Sequence, residues 1–145
     1  MRPAESSPMA CWLFKEEPDH YSLEDLFRDK RTIWNGVENN LALKHLRSVQ
    51  KGDRVLYYHT GAEKAIVGVM EVVKGPYRDP ARDDARFVVV DVKPVRRLDR
   101  PVSLAEIKAN PGFADFDLVR NSRLSVMPVT GEQWAEIERL SKQGP

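Results

Sequence analysis

Two short segments near the N-terminus place an indole ring beside charged or amide side chains. The first covers residues 12–18, WLFKEEP, and the second covers residues 34–39, WNGVEN. Each also contains a residue with special backbone preferences, Pro18 or Gly36. An indole offers a flat stacking face, while amides and charges bond polar edges. The combination predicts a pocket for a flat, polar ligand such as a nucleobase, although a tryptophan that plugs the end of a barrel is the alternative for Trp34.

A third segment, residues 54–59, RVLYYH, is a predicted strand that ends in aromatic side chains. Alternation along the strand places Tyr57 and His59 on one face and Tyr58 on the other. Strand ends lead into loops, where binding sites concentrate. Tyr58 and His59 are therefore candidates for a pocket, and aromatics at the edge of the core are the alternative.

A fourth segment, residues 120–129, RNSRLSVMPV, combines arginines and small polar residues with a short apolar strand. The guanidinium group of arginine can donate two parallel hydrogen bonds to a phosphate or to a base edge. The alternative is a pair of surface arginines that flank an ordinary edge strand.

Motifs for catalysis or metal binding are missing from the sequence. The single cysteine, Cys11, lies in a predicted strand, where a buried and inert thiol is expected. No grouping of cysteines and histidines has the spacing of a zinc site. The sequence also has no G-x-S-x-G, no P-loop and no dinucleotide-binding fingerprint. We predict neither a metal nor a cofactor.

The composition is that of a globular domain. The chain has 145 residues, 41% hydrophobic and 31% charged, with a net charge of +1. This charge argues against a protein that holds nucleic acid mainly by neutralising many phosphates. No segment approaches the roughly 20 apolar residues that span a bilayer. Residues 1–10 have no apolar core of a signal peptide, and we predict that they form a disordered tail.

Predicted strands cluster in the middle of the chain, with helices at both ends and between them. The predicted strands cover residues 11–15, 54–59, 65–73 and 86–95, and predicted helices begin at Ser22, Asn39, Ser103 and Thr130. This order is not regular βαβ alternation. The near-continuous apolar strand 65–73 indicates burial on both faces, or a sheet that closes on itself. We predict an α+β fold, a mixed β-barrel with flanking short helices.

These residues together resemble an EVE domain, a member of the PUA-like superfamily that is related to the YTH domain. The matching stretches, in the family's order, are residues 12–18, 21–26, 34–39, 52–59, 66–68 and 123–129. The resemblance implies an EVE (PUA-like) domain over residues 11–145, with a PUA-like mixed β-barrel and no catalytic machinery. It also implies a pocket for a modified base. Eukaryotic relatives are linked to modified cytosines in DNA, and YTH relatives cage N6-methyladenosine in RNA.

The resemblance also identifies candidate pocket residues. Carried over position by position, they are Lys15, Glu17, Trp34, Gly36, Val37, Asn39, Tyr58, His59, Arg123, Leu124 and Ser125. This chain departs from the family at Glu16, where many members carry a small hydroxyl residue. A carboxylate there would repel a phosphate or accept a hydrogen bond from an amino group. The chain also lacks an obvious set of three aromatics like the YTH cage.

The favoured interpretation is a non-catalytic module that binds DNA or RNA carrying a modified base. Trp34 would stack on a flipped base, and Lys15 and Arg123 would meet phosphate or sugar. The edge of the base would be bonded by Asn39, Glu17 or Ser125. We expect a monomer without membrane attachment, in the cytoplasm, or in the nucleoid or nucleus if the source is eukaryotic.

Two other functions are compatible with the same residues. One is an enzyme acting on modified nucleotides or nucleic acid, in which His59 pairs with Glu16 or Glu17 as general acid and base. The other is a scaffold that binds a small anion at Lys15 or Arg123.

Overall fold

A computed structural model describes residues 10–144, which form six strands and five α-helices. The strands are β1 (Cys11–Glu16), β2 (Thr32–Trp34), β3 (Arg54–His59), β4 (Ala65–Arg78), β5 (Val88–Ser103) and β6 (Val126–Val129). The helices are α1 (Leu23–Asp29), α2 (Asn40–Ser48), α3 (Leu104–Ala109), α4 (Asp117–Arg120) and α5 (Gly131–Gln143), and a 3-10 helix covers Pro111–Phe113. The predicted tail falls on residues 1–10, of which 1–9 lie outside the described residues.

The strands form one mixed sheet in the order β2-β5-β4-β3-β1-β6. Strands β1 and β3 run parallel, and the other neighbouring pairs run antiparallel. The parallel register aligns Lys15 with Tyr58 and Glu16 with His59. Because successive side chains of a strand point to opposite faces, Lys15 and Tyr58 share one face, and Glu16 and His59 share the other. The predicted α+β class is confirmed.

The sheet curls strongly, as the predicted barrel requires. Strand β2 is four positions away from β1 in the hydrogen-bonded order, which in a flat sheet would separate them by about 19 Å. Yet the ring of Trp34 in β2 lies 5.4 Å from the ring of Phe14 in β1, measured between centroids. It also lies 5.2 Å from the ring of Tyr57 in β3. The two ends of the sheet therefore approach each other around an aromatic core.

Three helices begin at capping residues that the sequence predicts. The side chains of Ser22, Ser103 and Thr130 each accept a bond from the backbone N–H three residues later, and the side chain there bonds back to the cap. Each capping box satisfies two backbone donors that the helix leaves unpaired. Helix α5 packs on β5 with Ile137 and Leu140 buried. The predicted helix starts at these caps are confirmed.

Three strands differ from the prediction. Strands β4 and β5 continue to Arg78 and Ser103, beyond the predicted ends at residues 73 and 95. They pair along most of their length, with register shifts that bend both strands. Strand β2 was not predicted, because its three residues are too few to show alternation. Pairing with β5 brings Trp34 opposite Val90.

The ion pair that anchors α3 predicts a dependence of stability on pH. Arg100 donates to both carboxylate oxygens of Glu106, at 2.9 and 2.5 Å, and lowers the pKa of Glu106 to about 2. The folded-state pKa lies below the usual value of 4.5, so the stabilisation is full above about pH 4.5 and is lost as the pH falls toward 2. We expect Glu106→Gln to cost on the order of 1–2 kcal/mol at pH 7, and the difference from wild type to vanish near pH 2.

Urea unfolding at several pH values measures this effect. Glu38→Gln is the matched control, because Glu38 pairs with Arg82 on the surface and exposed pairs contribute little. An equal cost of Glu106→Gln at pH 3 and pH 7 would contradict the prediction.

Candidate nucleic-acid interface

A cavity of about 180 Å³ opens beside Trp34. We call it the indole cavity, and it is lined by Glu16, His20, Tyr21, Thr32, Ile33, Trp34 and Asn35. Sites for drug-sized ligands occupy about 300–1,000 Å³, so this cavity suits a single small ring system. Its walls combine two aromatic rings with a carboxylate and an amide. An indole beside charged and amide side chains is the combination that the two N-terminal segments, residues 12–18 and 34–39, led us to expect in a pocket.

Trp34 is both buried and part of the cavity wall. Only 5% of its surface is exposed, because Phe14 and Tyr57 pack against the indole from the core side. Tyr57 meets it edge to face, at an interplanar angle of 84°. Such aromatic contacts fix the orientation of a ring as well as its depth. The two alternatives for Trp34, plug and ligand contact, are therefore compatible in this fold.

Glu16 provides the carboxylate of the indole cavity. It is the last residue of β1, and one of its oxygens accepts from the backbone N–H of Glu17 at 3.0 Å. The other oxygen lies 3.0 Å from Nδ1 of His20. Both contacts hold the carboxylate at the rim, where it presents hydrogen-bond acceptors to a ligand.

Tyr21 forms the second aromatic wall. Its hydroxyl donates to Asp29 at 2.8 Å, and its backbone carbonyl accepts from the hydroxyl of Tyr57. Burial and the bond to Asp29 raise the pKa of Tyr21, and burial raises the pKa of Tyr57. Both phenols stay neutral at physiological pH, so this wall adds no charge.

The predicted candidates that follow Asn35 support the cavity rather than line it. Gly36 has a left-handed backbone, with φ of +80°, which turns the chain toward α2. Val37 is buried in the core. Asn39 is the N-cap of α2, and its side chain accepts from the backbone N–H of Ala42 at 3.0 Å. The predicted candidates Gly36, Val37 and Asn39 thus form one connection between β2 and α2.

His59 is held inside the protein by two hydrogen bonds. Its Nε2 accepts from the backbone N–H of Leu23 at 3.1 Å, so the proton of the neutral ring is on Nδ1. Nδ1 lies 2.7 Å from a carboxylate oxygen of Glu63. His59 therefore joins α1 to the loop after β3. Its hydrogen-bond partners among the described residues are Leu23 and Glu63, and not the Glu16 or Glu17 of the enzyme hypothesis.

Lys15 and Tyr58 line a different cavity, on the opposite face of β1 and β3. We call it the lysine cavity; it measures about 280 Å³ and is lined by Lys15, Tyr58, Thr60, Gly61, Lys64, Leu104, Lys108, Leu118 and Ser122. Burial lowers the pKa of Lys15 and raises the pKa of Tyr58. The predicted pocket residues are thus divided between two faces of the sheet.

The remaining candidates lie before β6 and at the end of β1. Leu124 is buried, and the carbonyl of Ser125 accepts from the backbone N–H of Lys15 at 2.9 Å. Arg123 is exposed. Glu17 is exposed. Its carboxylate lies so close to Gly61 that a side chain on residue 61 would collide with it.

Several lining residues were absent from the predicted site. Glu16 is the most important, and alternation along β1 could have identified it, because it shares the face of Phe14. Tyr21 lies in a stretch that matches the family, and Asn35 follows Trp34 directly. His20 carries no such signal, because it reaches the cavity through the turn after β1.

A curled, mixed six-stranded sheet with short flanking helices is the architecture of a PUA-like module. The chain belongs to the EVE domain family, whose sequence model matches residues 10–140. Human thymocyte nuclear protein 1 is 30% identical to it, and the match covers 92% of this chain and 75% of the human protein.

Two solved structures extend the comparison. The NMR structure of Rpa0253 from Rhodopseudomonas palustris is 39% identical, with a TM-score of 0.87 over 92% of this chain and 94% of that one. The crystal structure of human THYN1 in complex with 5-methylcytosine-containing DNA is 28% identical, with a TM-score of 0.85 over 94% and 99%. Within residues 10–144, no helix is long and apolar enough to cross a membrane.

Proposed function

We propose that this chain is a non-catalytic module that recognises a modified nucleobase, and that 5-methylcytosine in DNA is its first candidate ligand. The observation that carries the proposal is the indole cavity, with its two aromatic walls and its carboxylate rim. The complex of human THYN1 with 5-methylcytosine-containing DNA supports it. The lining residues come from a single chain, so we propose that a monomer is sufficient.

Each part of the cavity has a role in this proposal. The flipped base stacks on Trp34 or Tyr21, which contributes about 1–3 kcal/mol per base. Glu16 accepts from the exocyclic amino group of cytosine, which is a donor. Ile33, an apolar side chain at the rim, contacts the methyl group. Arg123 meets the phosphate backbone, and the connection through Asn39 keeps Trp34 in place.

We infer that the module performs no chemistry on the base. His59 is bonded on both ring nitrogens and is buried. The pair of His20 and Glu16 at the indole cavity serves to hold the carboxylate. Mass spectrometry of a modified oligonucleotide after long incubation checks this inference, and the expected result is an unchanged mass. We place this binding in the cytoplasm or nucleoid, or in the nucleus if the source is eukaryotic, as the name of its relative thymocyte nuclear protein 1 supports.

Replacement of Glu16 tests the proposed recognition. We expect wild type to bind an oligonucleotide with one 5-methylcytosine more tightly than its unmodified counterpart. Glu16→Ala should weaken binding of the modified strand about tenfold, because one charge-assisted hydrogen bond is lost. Fluorescence anisotropy with labelled oligonucleotides measures both affinities. The same measurement with RNA of the same sequence shows whether the protein binds DNA or RNA more tightly.

Glu132→Ala is the matched control, since Glu132 is exposed on α5 and its loss changes the net charge equally. It should bind like wild type. Equal binding of modified and unmodified strands by wild type, in both DNA and RNA, would refute the proposal.

A further inference from the structure

The lysine cavity is separate from the indole cavity. Glu16 and Lys15 are adjacent in β1, and their side chains point to opposite faces of the sheet. Within residues 10–144 the two cavities share no lining residue. A base in the indole cavity would leave the lysine cavity empty, so the proposed function does not account for it.

Three lysines line this cavity, namely Lys15, Lys64 and Lys108. None of them forms an ion pair with another residue in the described range 10–144. Three positive charges therefore line one cavity of a chain whose net charge is +1. Like charges that converge repel each other, and a bound anion would remove this repulsion.

Lys15 is the innermost of the three. Its ammonium donates to the backbone carbonyl of Ser122 at 3.0 Å and lies 5.6 Å from the ring centroid of Tyr58. An ammonium has three hydrogen-bond donors. The contact with the ring of Tyr58 is a cation–π interaction, which depends on the charge of the ammonium and not on a hydrogen-bond acceptor. Two donors are therefore left for a ligand, in a half-buried position where charge interactions are stronger than in water.

The other two lysines are positioned by one contact between a loop and a helix. The carbonyl of Lys64 accepts from the backbone N–H of Leu104 at 2.8 Å, which fastens the loop after β3 to the start of α3. Leu104 and Lys108 are one turn apart, so they lie on the same side of α3. Lys64 has a left-handed backbone, with φ of +46°, which is uncommon for a residue other than glycine.

Two carboxylates lie near this loop, and among the described residues neither forms an ion pair with the three lysines. Glu63 is bonded to His59. Glu17 stands at the edge of the cavity, where a Cβ on Gly61 would lie 2.8 Å from its carboxylate oxygen. Glu17 is exposed, and it makes no ion pair among the described residues. The ammonium groups that line the cavity therefore have no carboxylate within ion-pair distance among residues 10–144.

We propose that the lysine cavity is a second binding site, which takes a phosphate group. Lys15, Lys64 and Lys108 would supply the charge, and the hydroxyls of Thr60 and Ser122 would donate to phosphate oxygens. Leu104 and Leu118 form an apolar wall that fits the organic part of a phosphate ester. The phosphate comes from a free phosphate ester or from a nucleic-acid backbone. The inference is independent of the function proposed for the indole cavity.

Titration of ¹⁵N-labelled protein with inorganic phosphate and with pyrophosphate tests this inference. At constant ionic strength, we expect saturable chemical-shift changes at Gly61 and Ser122, with smaller changes at Trp34 and Asn35. In Lys64→Gln/Lys108→Gln, the dissociation constant for pyrophosphate should rise at least about tenfold, because two charged contacts are lost. An unmodified oligonucleotide added afterwards distinguishes the sources. It displaces pyrophosphate if the backbone is the natural ligand, and leaves it bound if a free ester is.

The matched control is Lys51→Gln/Lys93→Gln, which makes the same change in net charge with lysines that are exposed outside the cavity. It should bind pyrophosphate like wild type. The proposal is overturned if Gly61 and Ser122 show no saturable response in wild type. It is also overturned if the two double variants bind pyrophosphate with equal affinity.

Discussion

Trp34→Ala is expected to lower the free energy of unfolding by about 3–5 kcal/mol, the usual cost of truncating a large buried aromatic side chain. The indole closes the gap between distant strands of the curled sheet through its contacts with Phe14 and Tyr57. Its removal leaves a void that these rings cannot fill, since both are fully buried in strands. Chemical denaturation followed by circular dichroism measures the loss.

Loss of nucleic-acid binding in Trp34→Ala would be ambiguous, because an unfolded variant binds nothing. Trp34→Phe keeps an aromatic ring and should retain the fold while offering a smaller stacking face. We expect its affinity for a 5-methylcytosine oligonucleotide to fall about three- to tenfold, a fraction of the 1–3 kcal/mol of one stacked base.

Trp134→Phe is the control for this change. Trp134 is partly buried in α5, away from the indole cavity, so the same substitution there should leave binding unchanged. If Trp34→Phe folds normally and binds the modified strand as tightly as wild type, Trp34 does not contact the base.

Gly68→Ala is expected to destabilise the protein by about 3 kcal/mol, the upper end of the usual cost of overpacking. A Cβ at position 68 would lie 2.4 Å from Cδ2 of Leu23 and 2.8 Å from the backbone carbonyl oxygen of Arg96. The carbonyl belongs to the neighbouring strand β5 and cannot move without breaking the ladder. Leu23 would have to shift as well, and its backbone N–H is bonded to His59.

Gly131→Ala is the matched control, because a Cβ there meets nothing within 4 Å. It should be neutral or slightly stabilising, since alanine restricts the unfolded chain more than glycine does. Differential scanning calorimetry of both variants measures the contrast. An equal melting temperature for Gly68→Ala and wild type would show that Leu23 and β5 accommodate the methyl group.

Local features of the fold could be predicted from the sequence alone. The caps at Ser22, Ser103 and Thr130 depend on residues within one turn of each other, so the sequence shows both partners at once. Strand β3 coincides with its predicted range of 54–59. The lengths of β4 and β5 depend instead on pairing between residues as distant as Ala65 and Ser103, and no local pattern reports such a pairing.

The candidate site shows the same division. The prediction of Trp34 as a cavity residue needed only the types of its neighbours. The prediction also grouped Lys15 and Tyr58 with Trp34 in one pocket, whereas the structure places them at a different cavity. A family motif does not show which face of a strand a side chain occupies. The parallel register of β1 and β3 assigns Lys15 and Tyr58 to one face, and Glu16 to the other.

By itself, therefore, the sequence determined the α+β class, the helix starts and the presence of an aromatic cavity with polar edges. These features follow from side-chain chemistry and from spacings of a few residues. Only the tertiary structure decided that the candidate residues are divided between two cavities of the described part of the chain where one was predicted, with Glu16 in the first and three lysines in the second. The physical reason is that adjacent residues of a strand point in opposite directions, and only the pairing of strands shows what each side chain meets there.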